Sequence, residues 1–152
     1  MGESKLEEYF RRAWRLLRPG GAFLNHGIAS NMNQPQLGPS FSDKYVFPDG
    51  ELVPVSTTAR VAENCGFEVR DVESLREHYA MTLRHWVRRL EENYSKALEF
   101  TDEATYRIWR LFMSGSAYGF QTGHLNLYQM LLVKPDKGDC KLPLTRWNWY
   151  ND

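Results

Sequence analysis

Leu17-Arg18-Pro19-Gly20-Gly21, running into Ala22-Phe23-Leu24-Asn25-His26-Gly27-Ile28-Ala29, decides the fold class. Upstream, residues 3–18 place Leu6, Tyr9, Phe10, Ala13, Trp14 and Leu17 at helical spacing, with Glu7, Glu8, Arg11, Arg12 and Arg15 opposite. Pro19 and the glycine pair stop that helix. The segment behind them is short, mostly apolar and bounded by glycines, which predicts a strand buried on both faces. A helix feeding a buried strand is an α/β arrangement.

Working outward, residues 30–55 carry Pro35, Gly38, Pro39, Pro48, Gly50 and Pro54 without a sustained period and read as a long loop, of the kind that caps a site. Ser56-Thr57-Thr58 suits the start of a helix over 57–65 ended by Gly66, and Phe67 to Val72 alternates as a second strand. A helix over 75–98 carries Leu75, Tyr79, Leu83, Trp86, Leu90 and Tyr94. Another over 102–120, capped by Thr101 or Asp102 and ended by Gly123, carries Tyr106, Ile108, Trp109, Phe112 and Met113. Leu125 to Val133 is the last strand, and 135–152 is an irregular tail whose Trp147, Trp149 and Tyr150 are placed to fold back on the body.

The 152 residues suit one domain. Lys+Arg and Asp+Glu both total 19, so no global charge steers the chain toward nucleic acid. Cys65 and Cys140 form no CxxC and have no ligand spacing to His26, His78, His85 or His124, so the expectation is reduced structural thiols and no metal. No apolar run reaches the roughly 20 residues a membrane helix needs, and the expected location is cytoplasmic, at most peripheral to a membrane. The basic runs Arg11-Arg12 and Arg84 to Arg89 read as solvated helix faces, with lipid head-group contact as the sharper reading.

Five segments in order carry a resemblance. They are the Leu17 to Ile28 turn and strand; Tyr45-Val46-Phe47-Pro48-Asp49-Gly50; His78-Tyr79-Ala80-Met81-Thr82-Leu83 with Trp86; Arg107-Ile108-Trp109 through Gly115-Ser116-Ala117 and Phe120 to Tyr128-Gln129; and Leu142-Pro143-Leu144-Thr145-Arg146. Over residues 6–150 the chain resembles the C-terminal half of the cyclopropane-fatty-acid-phospholipid and mycolic acid cyclopropane synthases, which are class I, S-adenosylmethionine-dependent methyltransferases. The resemblance implies a single partial domain over 1–152: half of a Rossmann-like fold, a three-stranded mixed sheet with the last strand antiparallel between the other two, helices on its faces and a loop cap.

It also implies a chemistry. In the complete family a lipid double bond attacks the sulfonium methyl of S-adenosylmethionine, and a held bicarbonate takes a proton so that a ring closes. Carried over, His26, the backbone of Ile28 and Phe112 fall on the anion and catalytic positions. Phe112 stands where the family has a tyrosine, and a one-residue slip in that alignment instead brings Trp109 or Tyr118 near the pocket. Tyr79, Leu83, Trp86, Trp109 and Met113, with Tyr106 and Phe112, fall on the acyl-chain channel, although such a stripe also suits ordinary helix-on-sheet core.

No G-x-G-x-x-G or equivalent precedes residue 22, and the family's cofactor turn and its active-site cysteine and glutamate have no counterpart. The chain alone is therefore expected to bind no cofactor and to be inactive, its partners being an unsaturated acyl chain or phospholipid and either a second copy or a chain supplying an N-terminal half. The alternative is a non-catalytic lipid-binding or protein-interaction module. Phe10 and Trp14 are the candidates for an apolar patch left uncovered by missing strands.

Overall fold

The computed structural model describes residues 2–31 and 40–150; residues 32–39 of the expected loop cap and 151–152 of the tail lie outside the described residues. Helix α1 (Glu3–Leu16) leads through the Pro19-Gly20-Gly21 turn into β1 (Ala22–Ala29). Then follow α2 (Phe41–Tyr45), α3 (Val55–Asn64), β2 (Glu68–Ser74), α4 (Arg76–Glu92), α5 (Tyr94–Ala97), α6 (Glu103–Thr122), β3 (Asn126–Val133) and α7 (Trp147–Tyr150).

The strands form one sheet in the order β1-β3-β2. β3 lies antiparallel to both neighbours, with Phe23 opposite Leu132 on one side and Val72 opposite Met130 on the other. Both pairings are antiparallel, so the mixed character expected of the sheet reduces to β1 and β2 running the same way on either side of β3. A bulge between Val69 and Asp71 bends β2.

Each face of the sheet carries its own core. Met130 and Leu132 of β3 meet Leu6 and Phe10 of α1, Val61 and Ala62 of α3, and Phe67. Leu127 of β3, one residue out of phase, meets Ala80 and Leu83 of α4 and Ala117 and Phe120 of α6. α4 and α6 run antiparallel: the Arg76 guanidinium donates to the Phe120 carbonyl (2.7 Å) and the Gln121 carbonyl (3.0 Å) at the C-terminal end of α6.

Several expectations need correction. β1 is not buried on both faces: Phe23 and Asn25 turn inward, while Leu24 and Ile28 are 53% and 40% exposed. β1 is one of the two end strands of the sheet, and the α4–α6 pair packs over β3 rather than over it. Phe10 is fully buried against Phe67 (ring centroids 6.1 Å) and Trp14 stands edge-on to the same ring (5.1 Å), so neither leaves a patch; the exposed apolar residue of α1 is Leu16. α3 starts at Val55, before the Ser/Thr run. Pro54 is its N-cap, and Thr58 bonds back from inside the helix to the Pro54 carbonyl. The helix expected over 75–98 breaks at Asn93 into α4 and α5.

Other expectations hold. Asp102 caps α6, accepting from the Thr105 N–H (2.7 Å), and Gly123 ends it in the left-handed conformation (φ 80°). Both cysteines are free thiols. Burial pushes the Cys65 thiol up. The hydrogen bond from Cys140 to Glu68 raises the Cys140 thiol, and burial adds to it. The tail folds back through an ion pair between Arg146 and Asp71. Trp149 is half-buried, whereas Trp147 and Tyr150 stay exposed.

Candidate functional site

On the α4–α6 side the core is the layer of Ala80, Leu83, Ala117, Phe120 and Leu127. Above that layer the two helices and the segment 40–52 enclose an open, mainly apolar groove of about 1120 Å³. Helical spacing sets its walls: Tyr79, Leu83 and Trp86 are three or four residues apart along one side of α4, and Trp109, Phe112, Met113 and Ser116 along one side of α6.

The third wall is the cap. α2 begins with a reciprocal capping box in which Ser40 accepts from the Asp43 N–H while the Asp43 carboxylate accepts from the Ser40 N–H. Those bonds hold the Asp43 carboxyl below its ordinary range. Phe47 then stands edge-on to Phe112 (5.6 Å) and Trp109 (6.4 Å), and Trp109 is edge-on to Phe112 (5.7 Å). This aromatic triad joins the cap to α6. The turn after Phe47 is tight: the Gly50 N–H reaches the Phe47 carbonyl at 2.9 Å, and a Cβ at Gly50 would come within 3.0 Å of Phe47.

All five residues assigned to the acyl channel by resemblance, Tyr79, Leu83, Trp86, Trp109 and Met113, line this groove together with Ile28 and Phe112. Tyr106 does not, being buried against Tyr94. Tyr118 is exposed on the opposite side of α6. His26 is not in the lining either. It is exposed in the middle of β1, its ring 6.4 Å from that of Tyr79 and its Nδ1 3.3 Å from the amide nitrogen of Gln129. The basic residues Arg84 and Arg88 of α4 border a separate depression of about 270 Å³ on the outer side of the helix pair.

Sequence reasoning gave no role to Phe41, Asp49, Leu52 or Leu111, which also line the groove. Asp49 lay within a quoted motif, but without periodicity in 40–52 nothing indicated which side chains turn inward.

The groups expected in a complete enzyme can be tested against these residues. The glycine turn at the start of β1 spends its amides internally, Gly20 N–H on the Lys134 carbonyl (2.7 Å) and Gly21 N–H on the Arg18 carbonyl (2.9 Å), so it offers nothing to a cofactor. For bicarbonate, Phe112 has no hydroxyl, His26 stands outside the groove, and the charged residues of the lining are the acids Asp43, Asp49 and Glu51. The set does not fit a bound anion.

Comparison with known proteins agrees with the architecture. The family model described as mycolic acid cyclopropane synthetase matches residues 1–130. A probable fatty acid methyltransferase of Pseudomonas putida is 43% identical over 99% of this chain and 39% of its own length. The cyclopropane synthase MmaA2 from Mycobacterium tuberculosis superposes with a TM-score of 0.78 at 26% identity, over 86% of this chain and 50% of that one. The mycolic acid cyclopropane synthase CmaA1, solved in complex with SAH and CTAB, gives 0.77 at 28% identity, over 87% of this chain and 50% of that one. The chain thus spans half or less of the length of these proteins. A sheet order with β3 antiparallel between β1 and β2, and a family model covering most of the residues, make this chain a member of the mycolic acid cyclopropane synthetase family.

Proposed function

We propose that this chain is the acyl-chain-binding portion of an S-adenosylmethionine-dependent lipid methyltransferase and that, alone, it binds lipid without transferring a methyl group. The observation that carries the reading is the groove, whose walls on α4 and α6 are mainly apolar and whose cap adds Phe41, Val46, Phe47 and Leu52. A chain entering it leaves water at a gain of roughly 0.8 kcal/mol per buried methylene. The aromatic rims of Trp86 and Trp109 then hold it without consuming hydrogen bonds. The cofactor, when bound by a complete enzyme, supplies an electrophilic sulfonium methyl; this chain's residues bind and orient the acyl chain and exclude water around it. Two relatives, a probable fatty acid methyltransferase and a mycolic acid cyclopropane synthase solved with CTAB, support the substrate class.

A lipid-binding role without catalysis is favoured by one observation: His26, Ile28 and Phe112 do not assemble a site for the anion that ring closure requires. Titrating the purified chain with a long-chain unsaturated amphiphile should quench tryptophan fluorescence and raise Tm. Trp109→Ala should weaken binding roughly tenfold, the loss expected for one large aromatic contact. Calorimetry with S-adenosylmethionine should show no heat beyond dilution. A micromolar cofactor affinity would overturn the division of labour, and indifference to every amphiphile would make the groove ordinary packing space.

A further inference from the structure

We propose that the cap is a lid: residues 40–50 pivot on a fixed root at 51–53 and close over an acyl chain lying between α4 and α6. The inference rests on the acyl-groove reading and adds how that groove is entered and sealed.

The root and the tip of the cap are held differently. At the root, where β1 ends, the Ser30 N–H donates to the Val53 carbonyl (3.2 Å) and the Ser30 hydroxyl to the Leu52 carbonyl (3.3 Å). Val53 is buried in the α1–α3 core, and the Glu51 carboxylate lies against Gly2 at the start of α1. The tip closes on itself instead. The Lys44 N–H reaches the Ser40 carbonyl (3.1 Å), the Val46 and Phe47 N–H groups share the Ser42 carbonyl (3.0 and 2.9 Å), and the Gly50 N–H returns to the Phe47 carbonyl (2.9 Å). Among the described residues no hydrogen bond of the tip reaches α4 or α6, and α2 buries no side chain. The rings of Trp109 and Phe112 meet it through Phe47. A unit bonded within itself, thinly packed and pinned at one end opens and closes as one body. Gly50 stands at the joint.

Both lips of the groove leave apolar surface for closure to bury. On the cap Phe41 and Phe47 are 37% and 50% exposed, and across the opening Trp86 and Trp109 are each 43% exposed. A hydrocarbon chain between the lips gives each of them a contact it lacks across empty space, and drawing them together removes more apolar area from water. Phe47 is the latch, since it already touches α6 and is still half in solvent. The ligand shifts the lid because its contacts differ between the open and closed positions.

The test mixes the intact chain with dodecylphosphocholine, kept below its micellar concentration, and follows tryptophan fluorescence by stopped flow. A lid gives two phases: a fast one proportional to ligand concentration, and a slower one, closure, whose rate levels off. Amide exchange at Val46 and Phe47 should slow in the bound state, while exchange at Thr57 and Thr58 in the first turn of α3 stays as it was. Phe47→Ala should speed dissociation roughly fivefold and remove the slow phase, with Phe47→Leu restoring much of it. Far-UV circular dichroism checks that both variants keep the fold, and the kinetics and exchange of the unaltered chain stand without them. A single concentration-proportional phase up to saturation, unchanged exchange at Val46 and Phe47, or a slow phase indifferent to Phe47→Ala would overturn the lid and leave the acyl groove intact. Failure of the amphiphile to bind at all would sink the groove reading itself.

Discussion

The two faces of the sheet are built from similar residues and end differently. On the α1–α3 face Phe10 and Trp14 stand edge-on to Phe67 and Phe23 lies tilted against it, and the rings seal, leaving Phe10 and Leu132 without solvent contact. On the α4–α6 face Tyr79, Trp86, Trp109 and Phe112 are as aromatic, yet they surround space. The difference lies in what meets the rings. The first set packs on Phe67 and on the buried Met130 and Leu132 of β3, whereas Trp86, Trp109 and Phe112 stand on the α4 and α6 walls of an open groove. An aromatic stripe becomes core or site according to what packs against it.

The largest expected effect breaks the comparison outright. Phe10→Ala opens a cavity in the sealed face and should cost about 3–5 kcal/mol, enough to unfold a marginal domain. Trp109→Ala, removing a larger ring from the groove wall, should cost only about 1 kcal/mol, because that ring is already 43% exposed. Urea melts of both variants decide it. Equal losses would mean that the groove is packed in solution and the two faces do not differ.

The sealed face also shows how much the sequence could tell. The helix, turn and strand around Pro19-Gly20-Gly21 and both ends of α6 were legible, because proline, glycine and a capping aspartate act locally, whereas the strand order followed only from the family resemblance. The exposure of β1 was not. Leu24 and Ile28 are as apolar as the inward Phe23, so the period of two was invisible, and only the place of β1 at the end of the sheet decides which face is wet. The burial of Phe10 failed for the complementary reason: its fate rests on Phe67, more than fifty residues away in the chain. At the site, the walls on α4 and α6 followed from helical spacing. The cap wall has no period, and Phe47 gained meaning only when it was seen against Trp109.

A second, intermediate effect concerns where the sealed face stops. The outer edge of β1 pairs with no described residue, and the strand carries the exposed apolar side chains of Leu24 and Ile28. Unpaired edges with apolar flanks recruit another strand, and β1 carries neither the lysine nor the proline that blunts such edges. The chain should self-associate, and Leu24→Lys should disperse it with little change in the Tm of the monomer. Light scattering that reports a monomer at every dilution before the substitution is made would remove this edge as an interface.

The smallest effect separates the faces by pH. The helices of the sealed side start without side-chain caps, α1 at Gly2 and α3 at Pro54, whereas α2 and α6 on the groove side start at Ser40 with Asp43 and at Asp102. Backbone N–H bonds, from Ser40 to Asp43 and from Thr105 to Asp102, hold both carboxyls below their ordinary values. A carboxyl whose folded pKa is depressed stabilises the fold above its unfolded pKa, and that contribution is lost as pH falls through the folded value. Acidification should therefore loosen the first turns of α2 and α6 before it touches α1 or α3. Because the cap leans on α6 through Phe47, amphiphile affinity should fall over the same pH range. Amide exchange at Asp43 and Thr105, followed from neutral pH downward, should rise ahead of exchange in the first turn of α3. Simultaneous rise at both would show that the caps contribute nothing local and that the two faces respond to acid as one body.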